Sequence, residues 1–314
     1  MVKKTIISIV FCVESGLLET QARLLVESIM RLPNAKHYQL IAFSPRANSQ
    51  PSQETITFFK RNHVVHLTEP INQKYQDYPI ANKVLACAYV ERQIESRHSI
   101  LFVDTDTVFI NDISEDCIKS EGFVYVRPVD NKGPGTLGVG DANDPFWKEV
   151  YQLFDLPMSD VSVITTVNNE KIRSYYNAGF IWSHKVVGFY EQWLQDFETL
   201  VQSKLRPFGY KSRDNTNFRC LDQVALAVTT SRNQFNTKEL SRKYNYPIPF
   251  KPKIDQGEHH VDIEELIHVH YHKWFQHAGF LSHVCSEREK QSEVYAWLDS
   301  RLPIKPEIVG EFKC

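Results

Sequence analysis

In LLETQARLLVESIM (17–30), apolar residues stand at 17, 18, 24, 25, 29 and 30, with charged and polar residues between them. Positions three, four or seven apart share one face of a helix, so the spacing predicts an amphipathic helix here. On either side, TIISIVFCV (5–13) and YQLIAFS (38–44) are short and rich in β-branched and aromatic residues, which predicts a buried first strand and a second strand. The alternation continues with ETITFFKRN (54–62) as a short helix and HVVHL (63–67) as a strand. A helix opened by Pro79 and carrying Asn82, Lys83, Val84, Leu85, Ala88 and Tyr89 comes next, and then SILFVD (99–104) as a strand. Strands alternating with helices predict a largely parallel sheet covered by helices, an α/β fold.

Beyond residue 110 the pattern loosens. FVYVRPV (123–129) and YYNAGFIWS (175–183) predict strands, Asp144 with Pro145 behind it predicts a helix cap and first position, and VVGFYEQWLQDFETLV (186–201) has helical amphipathicity. The strict alternating array thus gives way to a mixed, mostly parallel sheet flanked by helices. No Pro-, Gly- or Ser-rich stretch divides the 314 residues, and neither repeats nor low-complexity segments are present, so a single domain is expected.

Charge and cysteine usage narrow the partners. With 36 Lys and Arg against 38 Asp and Glu, the net charge is −2, which gives no basic footprint for a nucleic acid. Cys12, Cys87, Cys117, Cys220, Cys285 and Cys314 are far apart and form no C-x-x-C pair, as expected of reduced thiols in a cytoplasmic protein. The opening MVKKTIISIVFCVESG imitates a signal peptide. Glu14 interrupts its apolar run, no small-residue cleavage site follows, and spanning a bilayer takes about 20 apolar residues, so a buried strand and no transmembrane segment are expected.

The candidate chemistry begins at ILFVDTDTVFI (100–110), where Asp104 and Asp106 stand two apart between apolar runs. A buried carboxylate without compensation costs several kcal/mol, so two here call for a positive group. Three chemistries fit the pattern. A haloacid-dehalogenase-type phosphatase would use Asp104 as nucleophile and Asp106 as acid/base, with VGDAND (139–144) as partner motif, although that motif is one residue short and a full βαβαβ unit precedes the aspartates. GPGTLG (133–138) matches G-x-G-x-x-G, but dinucleotide binding needs a helix at the last glycine and none is expected before Asp144. The third is a D-x-D site holding a divalent cation against a diphosphate, with both carboxylates pointing the same way on an extended chain.

LIHVHYHKWF (266–275) favours the third. Strand alternation puts His268, His270 and His272 on one face, beside Lys273 and Trp274, a density of imidazoles that an ordinary core does not need. One histidine can complete an oxygen-rich metal shell, and Lys273 can meet phosphate as a point charge. His259 and His260, after Glu258, read as a solvated loop.

Together D-T-D, Y-Y-N-A-G-F (175–180), L-D-Q (221–223) opening an apolar helix, and H-x-H-x-x-K-W resemble the metal-dependent GT-A nucleotide-sugar glycosyltransferases, in particular those similar to glycogenin and the bacterial lipopolysaccharide galactosyltransferases. The resemblance covers about residues 5–275 in element order. It implies a single GT-A-like domain, with a nucleotide-binding half over about 1–110, an acceptor and metal-site-completing half over about 111–280, and a C-terminal helical tail over about 281–314. It also implies transfer from a nucleoside-diphosphate sugar, by family frequency a UDP-sugar, to a saccharide or other hydroxyl acceptor. A non-catalytic nucleotide-sugar-binding protein on the same fold is the alternative in a different class.

Residue by residue, the resemblance implies that Asp104 and Asp106 ligate Mn²⁺ or Mg²⁺, with Asp104 also near the ribose. His270 becomes the third protein ligand, His268 and His272 being support or packing, and Lys273 binds the diphosphate, though the family's glycines and proline between these residues are missing. Asn177 touches the donor sugar, Asp222 and Gln223 flank the anomeric carbon and acceptor, and Lys83 contacts the donor. Asn177-Ala178-Gly179 with Asp222-Gln223 resembles retaining members, in which a glutamine like Gln223 lies beneath the anomeric carbon. After the first strand, relatives carry an aspartate and often a tyrosine for the nucleoside. This chain has Phe11, Cys12, Val13 and Glu14, so Phe11 is assigned to stack on the base and Glu14 to take a ribose hydroxyl.

Overall fold

The structure is a computed structural model that describes residues 7–93, 99–158, 161–207, 220–257 and 259–309. Thr5 and Ile6 of the expected first strand, Glu258, and the end of the expected tail from 310 lie outside the described residues.

In chain order the elements are β1 (Ile7–Cys12), α1 (Leu17–Met30), β2 (Tyr38–Phe43), α2 (Gln53–Arg61), β3 (Val65–Leu67), α3 (Ala81–Gln93), β4 (Ser99–Val103) and β5 (Thr107–Phe109). There follow α4 (Glu115–Lys119), β6 (Phe123–Pro128), α5 (Asp144–Leu153), β7 (Ser162–Ile164), β8 (Lys171–Arg173), β9 (Tyr176–His184), α6 (Phe189–Ser203) and α7 (Leu221–Thr230). The last are β10 (Thr237–Glu239), β11 (Tyr246–Pro247), α8 (Lys251–Ile254), β12 (His268–His270), α9 (Phe280–Val284) and α10 (Glu293–Asp299). The fold is α/β, with a seven-stranded, mixed and mostly parallel central sheet in the order β10-β6-β9-β4-β1-β2-β3. Among the described residues, no helix is long and apolar enough to cross a membrane.

The chain divides into two compact units. The first comprises Met1–Pro70, Val103–Lys119 and Leu240–Cys314, and the second Ile71–Phe102 and Ser120–Glu239.

In the first unit, β1, β2 and β3 run parallel, with Ile7 opposite Tyr38 and Ile41 opposite Val65. β1 is an apolar run save for Ser8 because both its faces are covered, and Ile9, Val10 and Phe11 are wholly buried. The stripe of α1 anticipated from its spacing is the face that buries Leu24, Leu25 and Ile29, each contributing roughly 1.5–3 kcal/mol. Glu19 ties two helix starts together: it accepts from the backbone N–H of Gly16 at 3.0 Å and of Ser52 at 2.8 Å, and from the Thr55 hydroxyl at 2.6 Å. Donors left over at helix N-termini are met by one carboxylate. A smaller sheet, β11-β12-β5, completes the unit's strands.

In the second unit, β9 pairs antiparallel with β6, and β10 pairs parallel with β6. Every residue of β9 is buried. Helix α6 begins after Gly188, whose φ of 77° is the left-handed conformation that glycine adopts without strain, so residues 186–188 of the expected helix are outside it. It packs against α7, and Trp193 Nε1 donates to the Asp222 carbonyl at 2.9 Å. The α5 expectation needs correcting by one residue. Asn143 is the N-cap and Asp144 the first helical residue, from which its carboxylate pairs with Lys148 one turn on at 2.8 Å. Both residue types cap well, so the sequence did not separate them.

Candidate active site

Asp104, Thr105 and Asp106 form a bend between β4 and β5 and do not continue a strand, so the expectation of an extended chain there is not met. In the first unit β5 pairs antiparallel with β12, His270 opposite Thr107, and the Tyr271 N–H adds a bond to the Asp106 carbonyl at 3.0 Å. This register brings Asp106 beside the histidine run. Its Oδ1 lies 3.3 Å from His270 Nε2, and its Oδ2 lies 3.9 Å from His272 Nδ1.

His268 and His270 share a face of β12, as expected, but His272 does not continue it. β12 ends at His270, and His272 has a φ of 53°, a left-handed conformation that turns the chain. His268 is wholly buried, its ring edge-on to Phe109 at 4.7 Å, and burial together with the neighbouring His270 pulls its pKa well below the usual range. A neutral, packed imidazole results. The donor atoms of Asp106, His270 and His272 all lie within 4.8 Å of one another, a group that does not include Asp104. One carboxylate oxygen and two imidazole nitrogens at this separation suit a divalent cation, because bonds of about 2.1 Å at right angles put donors about 3 Å apart. The Asp104 carbonyl accepts from the Thr107 hydroxyl at 2.6 Å, and Lys273, exposed, follows directly on His272 with its Nζ 5.6 Å from the centre of the Trp274 ring.

At the carboxyl end of β1, Phe11 is wholly buried and packs edge-on against Phe59 at 6.2 Å. A ring at that depth presents no face to a base. Glu14 is buried too, its two oxygens held by the Arg46 guanidinium, with Nε at 2.6 Å from Oε1. Arg46 follows β2 as the polar residue after an apolar strand, and that position was the signal by which the sequence could have flagged it.

The second unit gathers a different group. Asn177, on β9, folds its side chain back to accept from the Gly179 N–H at 2.7 Å. Asp222 is the second residue of α7 and is buried, with its carboxylate 3.7 Å from Lys83 Nζ. Lys83, on α3, also donates to the Ala178 carbonyl at 3.4 Å and lies 5.5 Å from the centre of the Phe102 ring. The separate sequence assignments of Lys83, Asn177 and Asp222 are therefore neighbours, whereas nothing in the sequence announced the Lys83–Asp222 pair. Gln223 is half-buried next to it. Burial, with Asp222 and Cys220 nearby, pushes the Tyr78 hydroxyl far above its ordinary range and keeps it protonated.

The competing motifs have structural roles. GPGTLG lies in the loop between β6 and α5, and no helix begins at its last glycine. Within VGDAND, Asp141 accepts from Lys132 Nζ at 2.6 Å and from the Asn143 N–H at 2.8 Å, while the Asn143 amide donates to the Gly135 carbonyl at 3.1 Å. Burial raises the Asp141 pKa, but these bonds and that of the Leu137 N–H outweigh it and hold the carboxyl below its usual range.

Among solved structures, the fold is similar to that of an active-site mutant of LgtC, with 11% identity, 96% of this chain and 98% of that chain covered, and a TM-score of 0.51. Mouse xyloside xylosyltransferase 1 in its apo form gives 14% identity, 85% and 97% coverage and a TM-score of 0.47. The glycosyltransferase GlyE of Streptococcus pneumoniae TIGR4 gives 12% identity and a TM-score of 0.47, with 85% of this chain covered but 55% of that one, so the chain spans about half of GlyE. No curated protein matches the sequence. Likenesses at such identity concern the fold alone. The sequence itself matches the Rhodobacterales glycosyltransferase domain over residues 9–234, a segment that takes in D-T-D, Asn177 and Asp222 and stops short of the histidines. The chain therefore belongs to the Rhodobacterales glycosyltransferase domain family.

Proposed function

We propose that this protein transfers a sugar from a nucleoside-diphosphate sugar, a UDP-sugar in the first instance, to a saccharide or other hydroxyl acceptor, with retention of configuration and with Mn²⁺ or Mg²⁺. The observation that carries the proposal is the approach of His270 to Asp106 within a D-x-D bend, in a chain of a glycosyltransferase family. Asp106 and His270 would hold the cation, with Asp104 serving it or the ribose, and Glu14 would meet the ribose only if its pairing with Arg46 opened. Bound there, the cation supplies positive charge beside the departing diphosphate.

The chain's own groups do the rest. Lys273 offers an ammonium to the same diphosphate. Asn177, Asp222 and Gln223 orient the donor sugar and the acceptor, and Lys83 holds the Asp222 carboxylate in place. Gln223 would lie beneath the anomeric carbon. A cytoplasmic setting agrees with the wide spacing of the cysteines.

Incubation with a panel of nucleotide sugars and Mn²⁺ tests the proposal. Slow donor hydrolysis without acceptor is expected, and transfer once the acceptor is found. Binding without turnover would make the protein a nucleotide-sugar binder, and release of phosphate from simple monoesters would make it a phosphatase. Proton NMR of the first-formed product from an α-linked donor should show an α-linkage; a β-linkage would reject retention and make Asp222 the general base.

A further inference from the structure

Accepting Asp106 and His270 as cation ligands, we propose that His272 is a further protein ligand and that the resulting set selects a first-row transition ion, Mn²⁺ included, over Mg²⁺. The Asp106 carboxylate directs one oxygen to each imidazole, Oδ1 to His270 Nε2 at 3.3 Å and Oδ2 to His272 Nδ1 at 3.9 Å. The two rings are 4.0 Å apart at their centres and tilted by 39°.

Residues 270 and 272 are two apart, a spacing at which two imidazoles can reach one ion. The chain takes a left-handed turn at His272. Such a φ costs a non-glycine residue about 1 kcal/mol, and here it accompanies a second nitrogen donor beside the first. Both histidines lie beyond the segment matched by the family.

The donor set then decides the ion. Mg²⁺ requires near-ideal octahedral oxygen coordination and gives up its water reluctantly, whereas transition ions accept imidazole nitrogen with carboxylate oxygen. Affinity should follow the order of the divalent series, Zn²⁺ and Co²⁺ above Mn²⁺, and all three above Mg²⁺.

Calorimetric titration of the full chain with Mn²⁺ alone and Mg²⁺ alone, combined with pulsed electron paramagnetic resonance of bound Mn²⁺, tests this. Wild type should bind Mn²⁺ about 50-fold or more tighter than Mg²⁺ and show two nitrogen couplings. His272→Gly keeps the left-handed turn without strain, and should lose one coupling and about tenfold in Mn²⁺ affinity while Mg²⁺ affinity stays put. His272→Asn, also tolerant of that turn, should behave likewise and guards against a folding defect in the glycine variant. Two couplings and unchanged Mn²⁺ affinity in both variants, while Asp106→Asn and His270→Ala lose theirs, would overturn the role of His272 and leave the proposed function standing. Undiminished Mn²⁺ binding by a folded Asp106→Asn would overturn both.

Discussion

The two units each present a carboxylate to a nitrogen base, and they do so in opposite ways. In the first unit Asp106 faces two imidazoles, and the side chains keep access to water: 26% of Asp106 and 37% of His272 remain exposed. In the second unit Asp222 faces the ammonium of Lys83, with 3% and 13% exposed. An ammonium compensates a buried carboxylate outright, so the second group is electrically complete and its task is to hold a shape. Imidazole lone pairs beside a carboxylate form a donor set, whose charge a cation from outside can match. Under the proposed function, the first group would receive a cation and the second would orient the sugar.

The sharpest test of that contrast is to remove the charge from each carboxylate in turn. Asp106→Asn should weaken Mn²⁺-dependent nucleoside-diphosphate binding by about 100-fold or more by calorimetry, whereas Asp222→Asn should leave it within about threefold. Comparable losses from both would erase the distinction. Asp222→Asn should instead slow sugar transfer by about 10²–10³, read as kcat with Mn²⁺ affinity unchanged.

Lys83→Met should reveal the self-contained character of the second group, because Asp222 is left buried opposite a methylene chain. A loss of about 3 kcal/mol in urea unfolding is expected; a loss near zero would mean that the ammonium does not compensate Asp222. His268→Ala separates packing from ligation within the first unit: it should cost about 2 kcal/mol of stability by opening a cavity under Phe109, and leave Mn²⁺ affinity within about threefold.

The smallest effect concerns the scaffold beneath the first group. Burial raises the Glu19 pKa, but bonds from Ser52, Thr55 and Gly16 outweigh it, so the folded-state value lies below the ordinary 4.5. A depressed folded pKa contributes stability that is fully present above about 4.5 and is lost as pH falls through the folded value. Glu19→Gln should therefore lower the melting temperature by a few degrees at pH 7, and the difference from wild type should shrink below pH 4.5. A difference that is constant with pH would assign the effect to the hydrogen-bond geometry of the amide and not to charge.

Much of this architecture could be read from residue spacing. The 17–30 stripe, the β1 and β2 runs and the helix opened by L-D-Q were legible because burial imposes period and composition on the chain. D-T-D stood out because carboxylates between apolar runs are costly, and H-x-H-x-x-K-W because imidazoles are rarely dense. Where the sequence misled, backbone geometry intervened. H-Y-H-K contains no glycine or asparagine to warn of a left-handed residue, so alternation was extended two positions too far. The Lys83–Asp222 and Glu14–Arg46 pairs were illegible for another reason: which partner a long side chain finds is decided by tertiary placement, which spacing does not encode.

The pairing of β5 with β12 also fixes when the cation-binding group comes into being. Beside that pairing the Tyr271 hydroxyl donates to the Thr105 carbonyl at 3.5 Å, a contact between residues 166 apart in the chain. Closing so long a loop costs entropy before any contact rewards it, which puts such pairings late on the folding route. D-T-D emerges earlier in synthesis than the histidines and stays without them until β12 has been made and laid against it. Assembly of the proposed ion site is in this way coupled to synthesis of residues 268–272, and a chain stalled before them carries the aspartates and none of these imidazoles.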